Sequence, residues 1–253
     1  MLNLGVPGGT LEDEAALMYI CIHSGLKPSL VLLGVDPFYF NANGKEERTK
    51  ELQEQYDEYL IEVGQSESNM FGFDWAKWVN LLSFSYFQQG IKKLVENRGN
   101  RKNLVVTDKI ENELSTIHYD GSSASGVSKF TQVEVNEIAN SYTHHQWNNY
   151  DEVSLEKAKS LTTLINYIRS HNADVILFMA PYHPITYGRF MNQYEFRQVK
   201  NAEMLVEKIV KNENVEVIGN WNPSVCGCDE TDFYDAAHMK AKGLDKIFGE
   251  YLK

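Results

Sequence analysis

The chain has 253 residues, of which 43% are hydrophobic, and this size suits one large α/β domain whose core needs no disulfide or metal. The formal net charge of −11 argues against a nucleic-acid partner, which requires a basic surface, and against an anionic membrane surface. The sequence contains no run of 18 apolar residues, so it predicts no membrane-spanning helix, and it opens without a signal peptide.

The first part of the chain predicts a strand, a helix and a second strand. Residues 1–5 are short and apolar and indicate a strand. Thr10, followed three residues later by Asp13, predicts the start of a helix that runs to about Ser24. Residues 29–36 form a continuous apolar run, which is typical of a strand buried on both faces and therefore of a parallel sheet covered by helices.

The middle of the chain has weaker patterns. Residues 45–63 are charged and predict a helix, and residues 73–97 carry aromatic side chains at helical spacing. Residues 101–150 are polar, and they include the glycine- and serine-rich segment 121–126, which predicts a loop. We interpret the region at about 100–150 as an insertion or lid within a single domain.

The last hundred residues alternate regularly between helix and strand. The predicted order is helix, strand, helix, strand and helix, over residues 151–171, 173–180, 187–212, 215–218 and 240–252. This alternation predicts an α/β fold with a doubly wound parallel sheet and helices on both faces.

Binding sites of such sheets form at the carboxyl ends of the strands. We therefore expect four segments to converge at one edge of the sheet: residues 5–9, 36–41 and 181–184, and the loop that carries Asp235 and His238. Two of them also have a purely structural interpretation, because Gly8 and Gly9 suit a strand-to-helix turn and residues 181–184 suit a rigid loop between prolines.

The Asp-x-x-His pair at Asp235 and His238 is the strongest chemical signal. A carboxylate three residues before a histidine is able to hold one ring nitrogen and leave the other as a base. Alternatively, the pair caps the last helix, or Asp232 competes for the histidine. The chemistry also needs a nucleophilic serine, and the serines of segment 121–126 lack the glycine spacing of a nucleophile elbow.

The sequence predicts no cofactor and gives only a weak metal signal. Cys226 and Cys228 flank one glycine, without the second Cys or His pair that zinc sites use, so a plain loop or a redox-sensitive pair is the better interpretation. His144 and His145 are adjacent and point in different directions on any regular element, which disfavours shared metal ligation.

Three segments resemble the SGNH (GDSL-type) hydrolases, and in particular their cell-envelope branch, which includes the D-alanine transfer protein and sugar O-acetylation proteins. Residues 3–9 look like the second block of that family, residues 33–41 stand where the third block belongs, and residues 235–238 match the last block. The resemblance implies a flavodoxin-like three-layer fold and an esterase or O-acyltransferase activity.

The resemblance also implies roles for single residues. His238 would be the general base, Asp235 would orient it, and the N–H of Gly8 or Gly9 would stabilise the oxyanion. The implied substrate is an acylated polysaccharide or wall polymer, with a membrane acyltransferase as a further partner. The implied location is outside the membrane, through an N-terminal anchor; a native start at Met1 would instead imply a cytoplasmic protein.

Two departures from the family pattern matter. The first block, which carries the nucleophilic serine on the first strand, has no counterpart here, because the second block begins at residue 3. In the third block, Asp36 replaces the oxyanion-hole asparagine, and an ionised carboxylate repels an oxyanion. Asn41 is a candidate replacement for that amide.

The missing first block has two explanations. Either the sequence starts downstream of the nucleophile strand, or the protein has lost its nucleophile. We favour the first, because a parallel sheet without a central strand loses packing surface for its helices. The second explanation leads to another function: a non-catalytic domain that binds a sugar or a partner protein, with Asp36, Tyr182 and His183 at the substrate rim.

Overall fold

The computed structural model of the chain describes residues 2–5, 8–44, 52–66, 116–117, 123–124, 130–143 and 147–249. The chain divides into two compact units, one of Met1–Gly5 with Gly64–Val127 and the other of Val6–Val63 with Ser128–Lys253. The first unit contains a short antiparallel pairing of Thr116–Ile117 (β2) with Ser123–Ala124 (β3). The segment predicted as a loop at 121–126 therefore contributes a short strand.

The second unit is built around a three-stranded parallel sheet. The strands are Leu30–Gly34 (β1), Asp174–Met179 (β4) and Glu216–Gly219 (β5), in the order β1-β4-β5. In this register Leu32 lies opposite Ile176, and Phe178 lies opposite Ile218. The mixed α/β class and the parallel pairing confirm what the apolar runs predict.

Helices flank this sheet. In chain order they are α1 (Leu11–His23), α2 (Gln53–Glu62), α3 (Gln132–Ser141), α4 (Leu155–Ser170), α5 (Pro184–Asn192), α6 (Arg197–Glu213) and α7 (Ala241–Phe248). The predicted start of α1 is confirmed, because Thr10 and Asp13 form a capping box there. None of the helices in the described ranges combines the length and apolar character that a bilayer crossing needs.

The predicted helix at 187–212 is two helices. Gln193 adopts an extended backbone between α5 and α6, and a short 3₁₀ turn follows at Tyr194–Phe196. The break turns Phe196 into the core, where its ring centroid lies 5.0 Å from that of Phe190. In a continuous helix, the direction of this ring would follow from the helical repeat of about 3.6 residues; the break allows it a different direction.

The predicted strand at residues 1–5 is absent from the described residues 2–5, where the Gly5 N–H donates to the side chain of Asn3 rather than to a neighbouring strand. The insertion or lid at about 100–150 stays a prediction, because most of that region lies outside the described residues. Helix α3, at its end, belongs to the second unit, where Thr186 of α5 donates to the carbonyl of Ala139. The predicted helix at 73–97 lies outside the described residues.

The core has a large and a small cluster of buried side chains. Leu33, Val175 and Leu177 contribute to the large cluster with residues of α4 and α6, whereas Ile218 packs with Phe248 and its neighbours in the small cluster. On β1, Leu33 belongs to the large cluster, but Leu30 and Leu32, which point to the other face of the strand, remain in contact with solvent. Leu30 is 54% exposed and Leu32 is 47% exposed. The prediction that this strand is buried on both faces is therefore wrong, because β1 is the edge strand of the described sheet.

Trp221 joins the loops that leave the three strands. Its indole is completely buried, and its Nε1–H donates to the carbonyl oxygen of Val35, directly after β1, over 2.8 Å. Its own carbonyl oxygen accepts the N–H of Tyr182, after β4, over 3.1 Å. Trp221, in the loop after β5, thus fixes the exits of the other two strands.

Replacing Trp221 by Phe keeps an aromatic ring and removes the indole N–H. We expect the free energy of unfolding to fall by about 1–2 kcal/mol, because the buried Val35 carbonyl loses its side-chain donor. Urea denaturation measures this change. A variant as stable as the wild type would show that the hydrogen bond from Trp221 to Val35 contributes nothing to stability.

Candidate functional site

His238 and Asp235 form a hydrogen-bonded pair in the loop between β5 and α7. The Nδ1 of His238 lies 2.8 Å from the Oδ2 of Asp235, and the other carboxylate oxygen accepts the backbone N–H groups of Ala237 and His238, each over 2.9 Å. Because an ionised carboxylate only accepts, Nδ1 carries the proton and Nε2 is left as a base. The His238 side chain is 79% exposed, so this base faces solvent.

The electrostatics of the pair follow from this contact. The hydrogen bond to Asp235 raises the pKa of His238 above its ordinary value, and the negative charge of Asp235 adds to the effect. Partial burial raises the pKa of Asp235, but the hydrogen bonds from His238 and from the Ala237 and His238 N–H groups lower it further, so the carboxyl stays ionised. Asp235 is therefore a permanent negative partner of the imidazole.

The loop itself is closed by backbone pairing. Phe233 pairs with Met239, and the Tyr234 N–H donates to the His238 carbonyl over 2.8 Å. Helix α7 begins only at Ala241, after an N-cap at Lys240 that makes no side-chain cap. The pair of Asp235 and His238 therefore does not cap the last helix.

Asp232 does not compete for His238. Its carboxylate is completely buried and accepts from Lys246 Nζ over 2.7 Å and from the Asp229 N–H over 2.8 Å, while Lys242 lies 3.3 Å away. These partners neutralise the buried charge. Asp232 thus anchors α7, and Asp235 alone serves the histidine.

Asp36 is the second carboxylate of the site. It directly follows Val35 at the exit of β1, and its Oδ1 accepts the hydroxyl of the buried Tyr182 over 3.0 Å. Burial raises the pKa of Asp36 to about 6, although the hydrogen bond from Tyr182 and the positive charge of His238 both lower it. The effect of His238 on Asp36 places the two side chains in the same electrostatic site.

Tyr142, at the end of α3, joins this site. Burial and the charges of Asp36 and Asp235 together raise its pKa to about 12, so this phenol lies near both carboxylates. Its ring centroid is 6.5 Å from that of Tyr182. Sequence analysis missed Tyr142, because the region around it shows no periodic pattern.

Glu14 is a second buried carboxyl group beside Asp36. Its Oε1 accepts the hydroxyl of Tyr39 over 3.1 Å, and its Oε2 is enclosed without a partner among the described residues. Burial, followed by the neighbouring charge of Asp36 and of Asp13 and Glu12, raises the pKa of Glu14 well above its ordinary value. The wall of the site below Asp36 is therefore acidic.

Tyr182 and His183 are enclosed rather than displayed to solvent. Tyr182 is 3% exposed, and the His183 side chain is completely buried. The Nδ1 of His183 accepts the Ile185 N–H over 3.2 Å, and its backbone N–H donates to the carbonyl of Ala236 over 3.0 Å. Burial is the main cause that lowers the pKa of His183. His183 thus supports the loop of Asp235 and His238 from beneath.

The candidate oxyanion donors differ in their availability. Gly8 has a positive φ of 65°, and neither it nor Gly9 donates its N–H to another residue of the described ranges. Asn41 is completely buried: its Oδ1 accepts the Asn43 N–H over 2.9 Å and its Nδ2 donates to the Asn148 carbonyl over 3.2 Å. The amide of Asn41 is therefore engaged in holding a loop.

Neither a serine nor a metal-binding group completes the site within the described part of the chain. His238 makes no hydrogen bond to a serine there, and no group of three or more His, Cys, Asp or Glu side chains is arranged to hold a metal ion. Cys226 and Cys228 are free thiols, and burial is the main cause that raises the pKa of each.

These features define an α/β protein with a histidine–carboxylate pair at the carboxyl edge of a parallel sheet. The family model described as "Protein of unknown function (DUF1574)" matches residues 1–248, and the chain belongs to this family. No curated protein and no solved structure matches the chain significantly.

Replacing Asp235 by Asn tests the pair directly, because asparagine keeps the oxygen that accepts the two backbone N–H groups. We expect the pKa of His238 to fall, since the charge that favours the imidazolium is lost. The titration of the His238 Cε1–H signal by NMR measures it. Asp174→Asn, at the opposite edge of the sheet, is the matched control, and it should leave the midpoint of the His238 pH titration unchanged. If the midpoint were unchanged in Asp235→Asn as well, this account of the pair would be contradicted.

Proposed function

We propose that this chain is the acid–base part of an SGNH-like serine esterase or O-acyltransferase. The observation that carries the proposal is the contact of 2.8 Å between His238 Nδ1 and Asp235 Oδ2, together with the exposure of the imidazole. An oriented imidazole with a free Nε2 is the arrangement that activates a hydroxyl nucleophile.

In this proposal the nucleophilic serine comes from a segment upstream of Met1. His238 Nε2 takes the proton of the serine hydroxyl as its oxygen bonds to the ester carbon, and then gives that proton to the departing alcohol as the C–O bond breaks. Water or an acceptor hydroxyl attacks the acyl-serine, again with His238 as the base. Gly8 and Gly9 are the candidate N–H donors to the oxyanion.

The position of β1 at the edge of the described sheet supports an upstream strand beside it. Leu30 and Leu32 are exposed apolar residues on the edge strand, whereas strands of parallel sheets are ordinarily covered on both faces. A further parallel strand beside β1 would end at the same carboxyl edge as Asp36 and His238. With it, the fold would become the doubly wound three-layer arrangement that the resemblance implies.

The resemblance to the cell-envelope branch supplies the remaining parts of the proposal. The substrate is an acylated polysaccharide or wall polymer, the partner is a membrane acyltransferase, and the site lies outside the membrane, tethered by the upstream segment. The excess of carboxylates at the site, with Asp36 and Asp235 beside His238, gives no support to a nucleic-acid substrate.

The substitution His238→Ala in the natural full-length protein tests the activity. We expect the rate of hydrolysis of a chromogenic acetyl ester to fall by about a thousandfold or more, because no other group takes the proton of the serine. His23→Ala is the matched control, since His23 is an exposed histidine at the far end of α1, and it should leave the rate unchanged. Equal turnover by the wild type and His238→Ala would refute the proposal.

A second candidate function is a non-catalytic domain that binds a sugar or a protein partner. The observation in its favour is that, in the described ranges, no serine contacts His238. A natural protein whose mapped N-terminus adds no serine, and which binds a glycan equally well after His238→Ala, would support this alternative. Esterase activity that depends on His238 would exclude it.

A further inference from the structure

We propose that Asp36 is a specificity-determining residue that selects an uncharged, hydroxyl-rich substrate: its Oδ2 accepts a hydrogen bond from a sugar hydroxyl beside the ester, and its charge rejects phosphate or carboxylate groups at that place. This inference rests on the proposed function, because it names the substrate class of the same site. If the inference holds, the protein binds neutral polysaccharides in preference to anionic wall polymers.

The geometry leaves one oxygen of Asp36 for a ligand. Oδ1 is occupied by the hydroxyl of Tyr182, which is itself fixed by its backbone N–H bond to Trp221. Oδ2 makes no hydrogen bond or ion pair with any described residue, yet it is not among the fully enclosed atoms without a partner. A carboxylate oxygen that has no partner and is not fully enclosed is an acceptor for a ligand hydroxyl.

The charges around Asp36 oppose an anionic ligand. The titratable groups that face it are Tyr182, Tyr39 and Tyr142, the acids Glu14 and Asp235, and His238. The only cationic group in this set is His238, and its charge is already matched by Asp235 over 2.8 Å. An anionic group at Oδ2 would therefore meet the negative charge of Asp36, and none of these groups is a cation without a partner of its own.

The selectivity has a defined pH dependence. Because the pKa of Asp36 is about 6, its carboxyl is ionised above that pH and neutral below it. Rejection of anions is thus fully present at neutral pH, and it weakens as the pH falls through about 6. The pKa of His238 is raised above its ordinary value, so the imidazole gains its proton at a higher pH than Asp36 and adds positive charge before Asp36 is neutralised.

The test compares two unreactive ligands that differ by one carboxylate: an acetamido-substituted methyl glucoside and the matching methyl glucuronoside. Dissociation constants are measured by NMR titration of the natural full-length protein at pH 7.5 and low salt. We expect the wild type to bind the neutral ligand at least about tenfold more tightly, because like charges at an interface repel strongly. In Asp36→Asn, which still accepts from Tyr182, the ratio should fall several-fold, and in the control Asp174→Asn it should stay at the wild-type value.

Equal affinities for the two ligands in the wild type, no detectable binding of the neutral ligand, or an unchanged ratio in Asp36→Asn would each overturn the inference. The failure of the proposed function is distinguishable, because these measurements need no turnover. Selective binding without His238-dependent hydrolysis would refute the enzyme and leave the selectivity standing. Hydrolysis that depends on His238 but does not discriminate between neutral and anionic esters would refute only the selectivity.

Discussion

The hydrogen bonds of Trp221 hold the carboxyl edge of the sheet together. Its indole binds the carbonyl at the exit of β1, and its carbonyl binds the N–H of Tyr182 at the exit of β4. From there the contacts continue outward, since Tyr182 holds Asp36 and the next residue, His183, holds the loop of His238 through Ala236. A site made from three separate loops needs such a rigid connection, because catalytic groups that drift by an ångström lose most of their effect.

At this edge of the sheet, the pKa values of two carboxyl groups are shifted in opposite directions. Asp235 accepts two backbone N–H groups and the imidazole, so its pKa stays below the ordinary value, whereas Asp36 receives a single hydroxyl in a more enclosed place and its pKa rises to about 6. Neighbouring acids whose environments separate their pKa values commonly have separate roles. In the proposed function, Asp235 orients the base and Asp36 accepts a ligand hydroxyl. Strand β1, at the edge of the described sheet and with Leu30 and Leu32 exposed, is the place where the proposed nucleophile strand would be added.

The elements with strong local signals could be predicted from sequence. Thr10 and Asp13 predict α1, and the apolar runs predict β1 and β4, because a capping box and an apolar run are both patterns of neighbouring residues. The break at Gln193 could not be predicted, since it serves a tertiary contact of Phe196. At the site, the spacing of Asp235 and His238 predicts their contact, but Tyr142 and Glu14 come from distant segments that only the fold brings near Asp36. The enclosure of Tyr182 and His183 likewise depends on packing that no local pattern encodes.

The most direct test of the central claim is to label the natural protein with a fluorophosphonate, which reacts with activated serines, and to map the labelled peptide by mass spectrometry. The account predicts one labelled serine, located upstream of Met1 at the end of an apolar strand, and loss of the label in His238→Ala. Absence of any labelled serine, or labelling that persists without His238, would contradict the claim that Asp235 and His238 activate a nucleophile supplied by another segment of the same polypeptide.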